Sequence, residues 1–389
     1  MGARFFLETL LVFSLLLAGF GLVLLLPLPA RLGAIDFRPY WSASYLFARR
    51  LDFGDWQALD KVQRTLTASD EPFTMQAWFT PIGHLLLLPL TFLPFQQAVK
   101  IWLLLNIAFL SFSAWLLWEG PPQKAWLALV IVFSFSMTLT SLYFGQVNTL
   151  VLLGLALFLY FRRTQNDLPA GASLVLTLVK PHLVVLTLPI LLLSLAWHRR
   201  WQALVGFLLS LAFLGGLLFV LHPGWVISFG EVIQSGLGSF RLTPSLAGLL
   251  VYLGFESLGK WLWLGGLVLV FLVWWKYRGV DERTLLSATL LLGLSLTPFG
   301  WSYDQIVLLL PGLAIAQWTV QGEFTPPWKR FFAAGLVLIN GLAYYQRIVA
   351  QNDLWFFWMP LALFGVYGIG WVKLARLRVM EQGQAENRS

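Results

Sequence analysis

Apolar runs long enough to cross a hydrocarbon core of about 30 Å follow one another almost from end to end of this chain. They lie at residues 5–28, 78–94, 97–118, 125–144, 147–161, 168–197, 201–221, 258–275, 284–298, 303–320, 330–349 and 354–372. A span in lipid must satisfy its backbone hydrogen bonds internally, which for apolar stretches of this length means helices. The expected fold is therefore an all-α integral membrane protein, a polytopic helical bundle of about twelve transmembrane helices. Composition agrees, since 58% of the 389 residues are hydrophobic and only 11% are charged, against about 25% charged in soluble domains. The first run follows Arg4, is longer than a signal-peptide core and has no small-x-small cleavage site after it, so it reads as a retained first helix.

A net charge of +8 invites a nucleic-acid partner, but its distribution argues otherwise. Arg4, Arg199, Arg200, Lys276, Arg278, Arg283, Lys329, Arg330, Lys373, Arg376 and Arg378 flank apolar runs, the positive-inside pattern of a multi-pass plasma (inner) membrane protein. Nucleic acid drops out, and membrane lipid becomes the expected surrounding. The pattern places both termini and the loops 198–200, 276–283 and 321–330 in the cytoplasm, and 28–80, 222–257, 299–303 and 350–353 outside. Arg162 and Arg163 fall on the outer side in a strict count. They return inside if 168–197 is two short helices broken at Lys180-Pro181, which then asks an odd number of crossings of 78–118. One transmembrane domain over residues 1–378, with a polar cytoplasmic tail at 379–389, is the simplest organisation. The chain has no cysteine, which excludes disulfides, thiol catalysis and zinc-thiolate sites.

Polar residues in or against a membrane are expensive unless paired or solvated, so they carry the functional information. The long first outer loop, 28–80, holds Asp36, Arg38, Tyr40, Arg49, Arg50, Asp52, Asp55 and further charges interleaved with Trp41, Phe53 and Trp56. Its aromatic spacing suits short interfacial helices. "YFGQVN" (143–148) sets Gln146 and Asn148 between apolar runs, and "TLVKPHL" (177–183) sets Lys180 and His182 into another. The second outer loop, 222–257, adds His222, Glu231 and Arg241, and "LTPFGWSYDQ" (296–305) adds Tyr303 and Asp304 at a late outer helix end. Each has a plainer explanation. Asp36 could bridge to Arg38 in a solvated loop, Gln146 and Asn148 could be interhelical glue, and Lys180 could snorkel from a proline break. His84, His182 and His222 could be satisfied or interfacial histidines, and Tyr303 an aromatic-belt residue.

The order of these features resembles glycosyltransferase family 87: an Asp in a large outer loop after a first span, then "GQVN", then "KP" in an apolar run, then an aromatic-acidic cluster. "IDFRPYWSASYLFARRLDFGDW" is similar to the family's opening segment and "FTPIGHLLLLPLTFLP" to its proline-marked second span; the likeness covers roughly residues 30–320. The late segment departs from the pattern, with Gly300, Trp301, Ser302, Tyr303 and Asp304 where many members carry Ser-Trp followed by His. The resemblance implies a GT-C-type bundle with a large first extracytoplasmic loop. It also implies transfer of a hexose, commonly mannose, from a polyprenyl-phosphate donor to a lipid or glycan acceptor. An Asp36 base, with Arg38, Lys180, Arg241 and His182 toward the donor, and Tyr40, Gln146, Asn148, Tyr303 and Asp304 toward sugar or acceptor, suits that chemistry. No Walker loop, Asp-x-Asp pair or nucleotide-binding domain is present, so neither a nucleotide-sugar donor nor a cofactor is expected, and no carboxylates and histidines recur at metal-ligand spacing. A transporter or lipid flippase is the alternative; it typically shows internal repeats and mid-bilayer ionisable residues in both halves, which this chain lacks.

Overall fold

The computed structural model describes residues 31–67, 73–237, 243–350 and 352–386, with side chains up to Leu377. The first apolar run, Asp70, Glu71 and Arg241 lie outside the described residues. Among those described the protein is helical, with no strand. Five helices are long and apolar enough to cross a membrane: Phe95–Leu117, Trp201–Leu221, Glu256–Lys276, Pro326–Val349 and Asp353–Leu377. Pro122–Ser134 and Ser136–Phe144, bent by 59° at their junction, make a sixth if counted as one span. The protein is an all-α membrane protein.

The chain forms two compact units. The first comprises Met1–Ala108, Leu142–Val147 and Leu218–Gln234. At its centre the Phe37–Ala48 helix is buried on nearly every side. By contrast Trp56–Leu66 is amphipathic, with Leu59, Val62 and Gln63 inward and Trp56, Lys61 and Arg64 outward. Asp55 caps it by accepting from the Gln57 amide at 2.8 Å. The extended residues beyond this helix are held by Gln63, whose side-chain amide donates to Met75 O at 2.6 Å and accepts from Met75 N at 3.0 Å. Residues 78–94 do not form one long helix. Pro81 starts a seven-residue helix, Pro81–Leu87, and Pro89 sits in the 3-10 turn Leu88–Phe92 that follows.

Gly145 explains the first letter of "GQVN". Its φ is +74°, and a Cβ there would lie 2.1 Å from Gly33 O. Only glycine meets both demands. The close approach lets Gly33 N donate to Tyr143 O at 2.7 Å and Asp36 N to Phe144 O at 2.8 Å, which sets Asp36 beside Gln146.

The second unit comprises Phe109–Ser141, Asn148–Leu217 and Ser235–Ser389. Its notable element is an out-and-back hairpin over residues 167–200. Asp167–Ser173 and the 3-10 turn Leu174–Val179 run out, Lys180-Pro181 breaks the path, and Pro181–Val184 with Thr187–Trp197 run back. Pro181 has no amide hydrogen and bars helical geometry at Lys180, whose φ is −130° and ψ 76°. At about 1.5 Å per α residue and 2.0 Å per 3-10 residue the outgoing arm rises roughly 22 Å. Both ends meet: Arg162 pairs with Asp167 and, at 2.6 Å, with Glu282, while Arg200 lies 3.9 Å from Asp167. Arg163 and Arg283 share Glu119 at 2.9 and 2.5 Å. The two-short-helices arrangement raised by the charge pattern is therefore the one adopted, and Arg162 and Arg163 lie at the same end as Arg200 and Arg283.

The break at Phe135 is satisfied from far along the chain. Asn340 donates to Ser134 O at 2.8 Å and accepts from Ser136 N at 2.9 Å, and Tyr344 donates to Ser134 O at 2.9 Å. These bonds replace the helical partners lost at the kink, which lipid cannot supply.

Candidate active site

In the first unit Asp36 stands at the N-terminus of the Phe37–Ala48 helix and is 8% exposed. Its carboxylate accepts from Gln146 Nε2, and Gln146 Oε1 in turn accepts from Tyr40 OH at 3.1 Å. Asp36 and Tyr40 lie one helical turn apart, so one amide spans both. Phe79 meets the Tyr40 ring edge-on at 4.8 Å, and Trp41 donates to Leu90 O at 2.9 Å, so the walls are aromatic and fixed. Arg38 is also buried, and its Nη2 donates to Phe73 O at 3.3 Å. A carboxylate in these surroundings is a group that can accept a proton.

The same unit holds two histidines that the site does not use. His84 Nδ1 lies 3.0 Å from Ser44 Oγ, and His222 Nε2 lies 2.9 Å from Leu51 O. Both rings stack on Phe47. They are packing residues, and among the described residues His222 Nδ1 is buried with no hydrogen-bond partner. Nearby Asp52 accepts from Gly54 N at 2.8 Å. Burial pushes its carboxyl up, but hydrogen bonds from Ser228, Gly54 and Glu231 outweigh this and hold it below the usual value. The negative charge of Asp52, then burial, raises Glu231.

In the second unit Lys180 and Asp304, 2% and 1% exposed, form an ion pair at 2.8 Å. Asp304 Oδ1 also lies 3.4 Å from Asn148 Nδ2, and Oδ2 accepts from Trp301 N at 3.1 Å with His182 Nε2 at 3.6 Å. Both oxygens of that carboxylate are therefore engaged. Asn148 is itself fixed, donating to Tyr303 O at 2.8 Å and accepting from Ser141 Oγ at 2.6 Å. Lys180 Nζ sits 5.1 Å from the centre of the Tyr303 ring. A buried charge pair is retained only where such bonding offsets its desolvation.

The structure thus gathers Asp36, Tyr40 and Gln146 into one bonded chain in the first unit. It gathers Asn148, Lys180, His182, Tyr303 and Asp304 into a second cluster in the second unit. Arg38 donates to Phe73 O, and Arg241 lies outside the described residues. Sequence reading missed a brace under Tyr303-Asp304. Asp353 Oδ1 accepts from Ser302 Oγ at 2.8 Å and from Arg347 Nη1 at 3.0 Å, and Arg347 Nη2 donates to Ser302 Oγ. Its only trace in the sequence is an Arg and an Asp flanking a short turn between two apolar runs.

A helical membrane protein with a buried, amide-oriented acid and a buried lysine braced by a second acid has the parts of a membrane group-transfer enzyme. The chain belongs to glycosyltransferase family 87: the family model matches residues 78–299, more than half its length. It is a membrane glycosyltransferase. The match includes Gln146, Asn148, Lys180 and His182 and is narrower than the likeness read by eye, for it begins after Asp36 and ends before Tyr303. No curated protein and no solved structure matches the chain.

Proposed function

We propose that the protein moves a hexose, mannose being the family's commonest sugar, from a polyprenyl-phosphate donor to a lipid or glycan acceptor. The reaction takes place at the extracytoplasmic face of the plasma (inner) membrane, in a GT-C-type bundle of about twelve spans. One observation carries the reading: the two amides of "GQVN" each meet a different buried acid, Gln146 the carboxylate of Asp36 and Asn148 that of Asp304. In this assignment Asp36 takes the proton of the acceptor hydroxyl as its oxygen bonds to the anomeric carbon. The bond from that carbon to the phosphate oxygen breaks with its electrons on the phosphate, and attack opposite the leaving group inverts the configuration. Arg38, Lys180, His182 and Arg241 serve the phosphate, whose charge grows as the bond breaks. Tyr40 and Gln146 orient Asp36 and the acceptor. Asn148 and Tyr303 line the sugar, while Asp304, engaged at both oxygens, acts through Lys180 and His182.

The test is purified protein supplied with a panel of polyprenyl-phosphate sugars and, separately, nucleotide sugars, with cell-envelope lipids and glycans as acceptors. Transfer from a lipid-phosphate donor alone is expected; transfer from nucleotide sugars alone rejects the assignment. Single cysteines introduced into this cysteine-free chain test the face. Position 50 should label in intact cells and position 329 only after permeabilisation.

A further inference from the structure

We propose that a groove between the start of the Pro326–Val349 helix and the middle of the Trp358–Glu386 helix binds an anionic glycerophospholipid drawn from the bilayer. The groove has a volume of about 590 Å³ and is lined by Trp328, Gly365, Gly368, Val372, Lys373 and Arg376 among others, with no carboxylate. That volume suits a small-molecule ligand.

Its floor is glycine without a packing reason for glycine. A Cβ at Gly365 or Gly368 would meet no atom within 4 Å, whereas at Gly370, on the same helix, it would strike the Trp318 ring at 2.2 Å. Glycine in a helix interior is about 1 kcal/mol poorer than alanine. At Gly365 and Gly368 what it provides is an open trench, and an acyl chain fits such a trench.

The charge is gathered at one end. Lys373 Nζ lies 4.4 Å from the centre of the Trp328 ring, and Arg376 lines the groove just beyond it. Lys329 and Arg330 follow Trp328 directly in the first turn of its helix. A tryptophan and clustered cations beside an apolar trench match a lipid whose phosphate lies at the headgroup level and whose chain lies along the helices. Among the described residues none of these cations is paired with an acid, so a headgroup with net negative charge is favoured over a zwitterionic one. The proposal stands apart from the transfer reaction and uses none of its residues.

The experiment is native mass spectrometry of the purified full-length chain in detergent, titrated with phosphatidylglycerol, phosphatidylcholine or inorganic phosphate. Wild type should prefer phosphatidylglycerol to phosphatidylcholine by roughly 30-fold, about 1 kcal/mol for each of the two lining cations. Lys373→Ala with Arg376→Ala should abolish the preference. Gly368→Leu should do the same by filling the trench, and it keeps the test open should the double variant not fold. Equal binding of the two lipids, binding reproduced by inorganic phosphate alone, or full preference retained in Gly368→Leu would each overturn the proposal.

Discussion

Asp36 in the first unit and Asp304 in the second are both almost closed to solvent, at 8% and 1% exposure, and an amide of "GQVN" meets each in a different setting. Asp304 is bound to the ammonium of Lys180 and bonded at both oxygens. Asp36 is met by the neutral amide of Gln146, itself tied to a phenol. An ion-paired acid is stabilised in its charged form and resists taking a proton, while a neutral donor orients an acid with far less effect on its basicity. Asp304 holds Lys180 in place, and proton removal is the role proposed for Asp36.

The largest effect is expected from breaking the charged arrangement on one side. Lys180→Met leaves Asp304 buried without its cation and should destabilise the protein by about 3–5 kcal/mol. Adding Asp304→Asn should restore most of that loss, and a thermal-shift double-mutant cycle in detergent measures it. A Lys180→Met protein as stable as wild type would mean that Asp304 is not held by the pair.

On the other side, Gly145→Ala forces a side chain into an αL position and against Gly33 O. Strain of about 1–3 kcal/mol is expected, together with loss of turnover greater than the loss of stability, because Asp36 and Gln146 are set by that contact. Turnover and melting temperature measured together separate the two effects.

Tyr40→Phe removes one neutral hydrogen bond and should lower turnover by about fivefold, with about 1 kcal/mol of stability. An effect as large as that of Lys180→Met would contradict a merely supporting role for Tyr40.

The smallest effect lies at Asp52 and Glu231. Glu231 is raised above its ordinary value, so the folded protein binds its proton more tightly and loses stability as pH rises through that range. Asp52, held low, contributes in the reverse sense, its stabilisation fading only in acid. Glu231→Gln should melt slightly above wild type at pH 7 and level with it at pH 4.

The sequence disclosed the long helices well, because an unbroken apolar run needs no distant partner. Residues 201–221 form Trp201–Leu221, and 97–118 forms Phe95–Leu117. The break at Lys180 was legible for the same local reason, since Pro181 carries its own veto on helix. The break at Phe135 was not, because the groups that make it tolerable are Asn340 and Tyr344, some two hundred residues on. The site divides likewise. Its residue types stood out against an apolar background, but the partner of Asp36 is 110 residues away and that of Lys180 is 124, and spacing cannot reveal such pairs. Arg347 and Asp353 looked like ordinary turn charges until their bonds to Ser302 were seen.

The difference between the two acids is tested most directly by the turnover of Asp36→Asn, measured with a transferable polyprenyl-phosphate sugar and its acceptor beside a thermal-stability control. The amide keeps the shape of the side chain and cannot take the proton. The expected result is a folded protein with donor KM near wild type and kcat lowered by about 10²- to 10⁴-fold. A folded Asp36→Asn protein that turns over at the wild-type rate would contradict the assignment of Asp36 as the base.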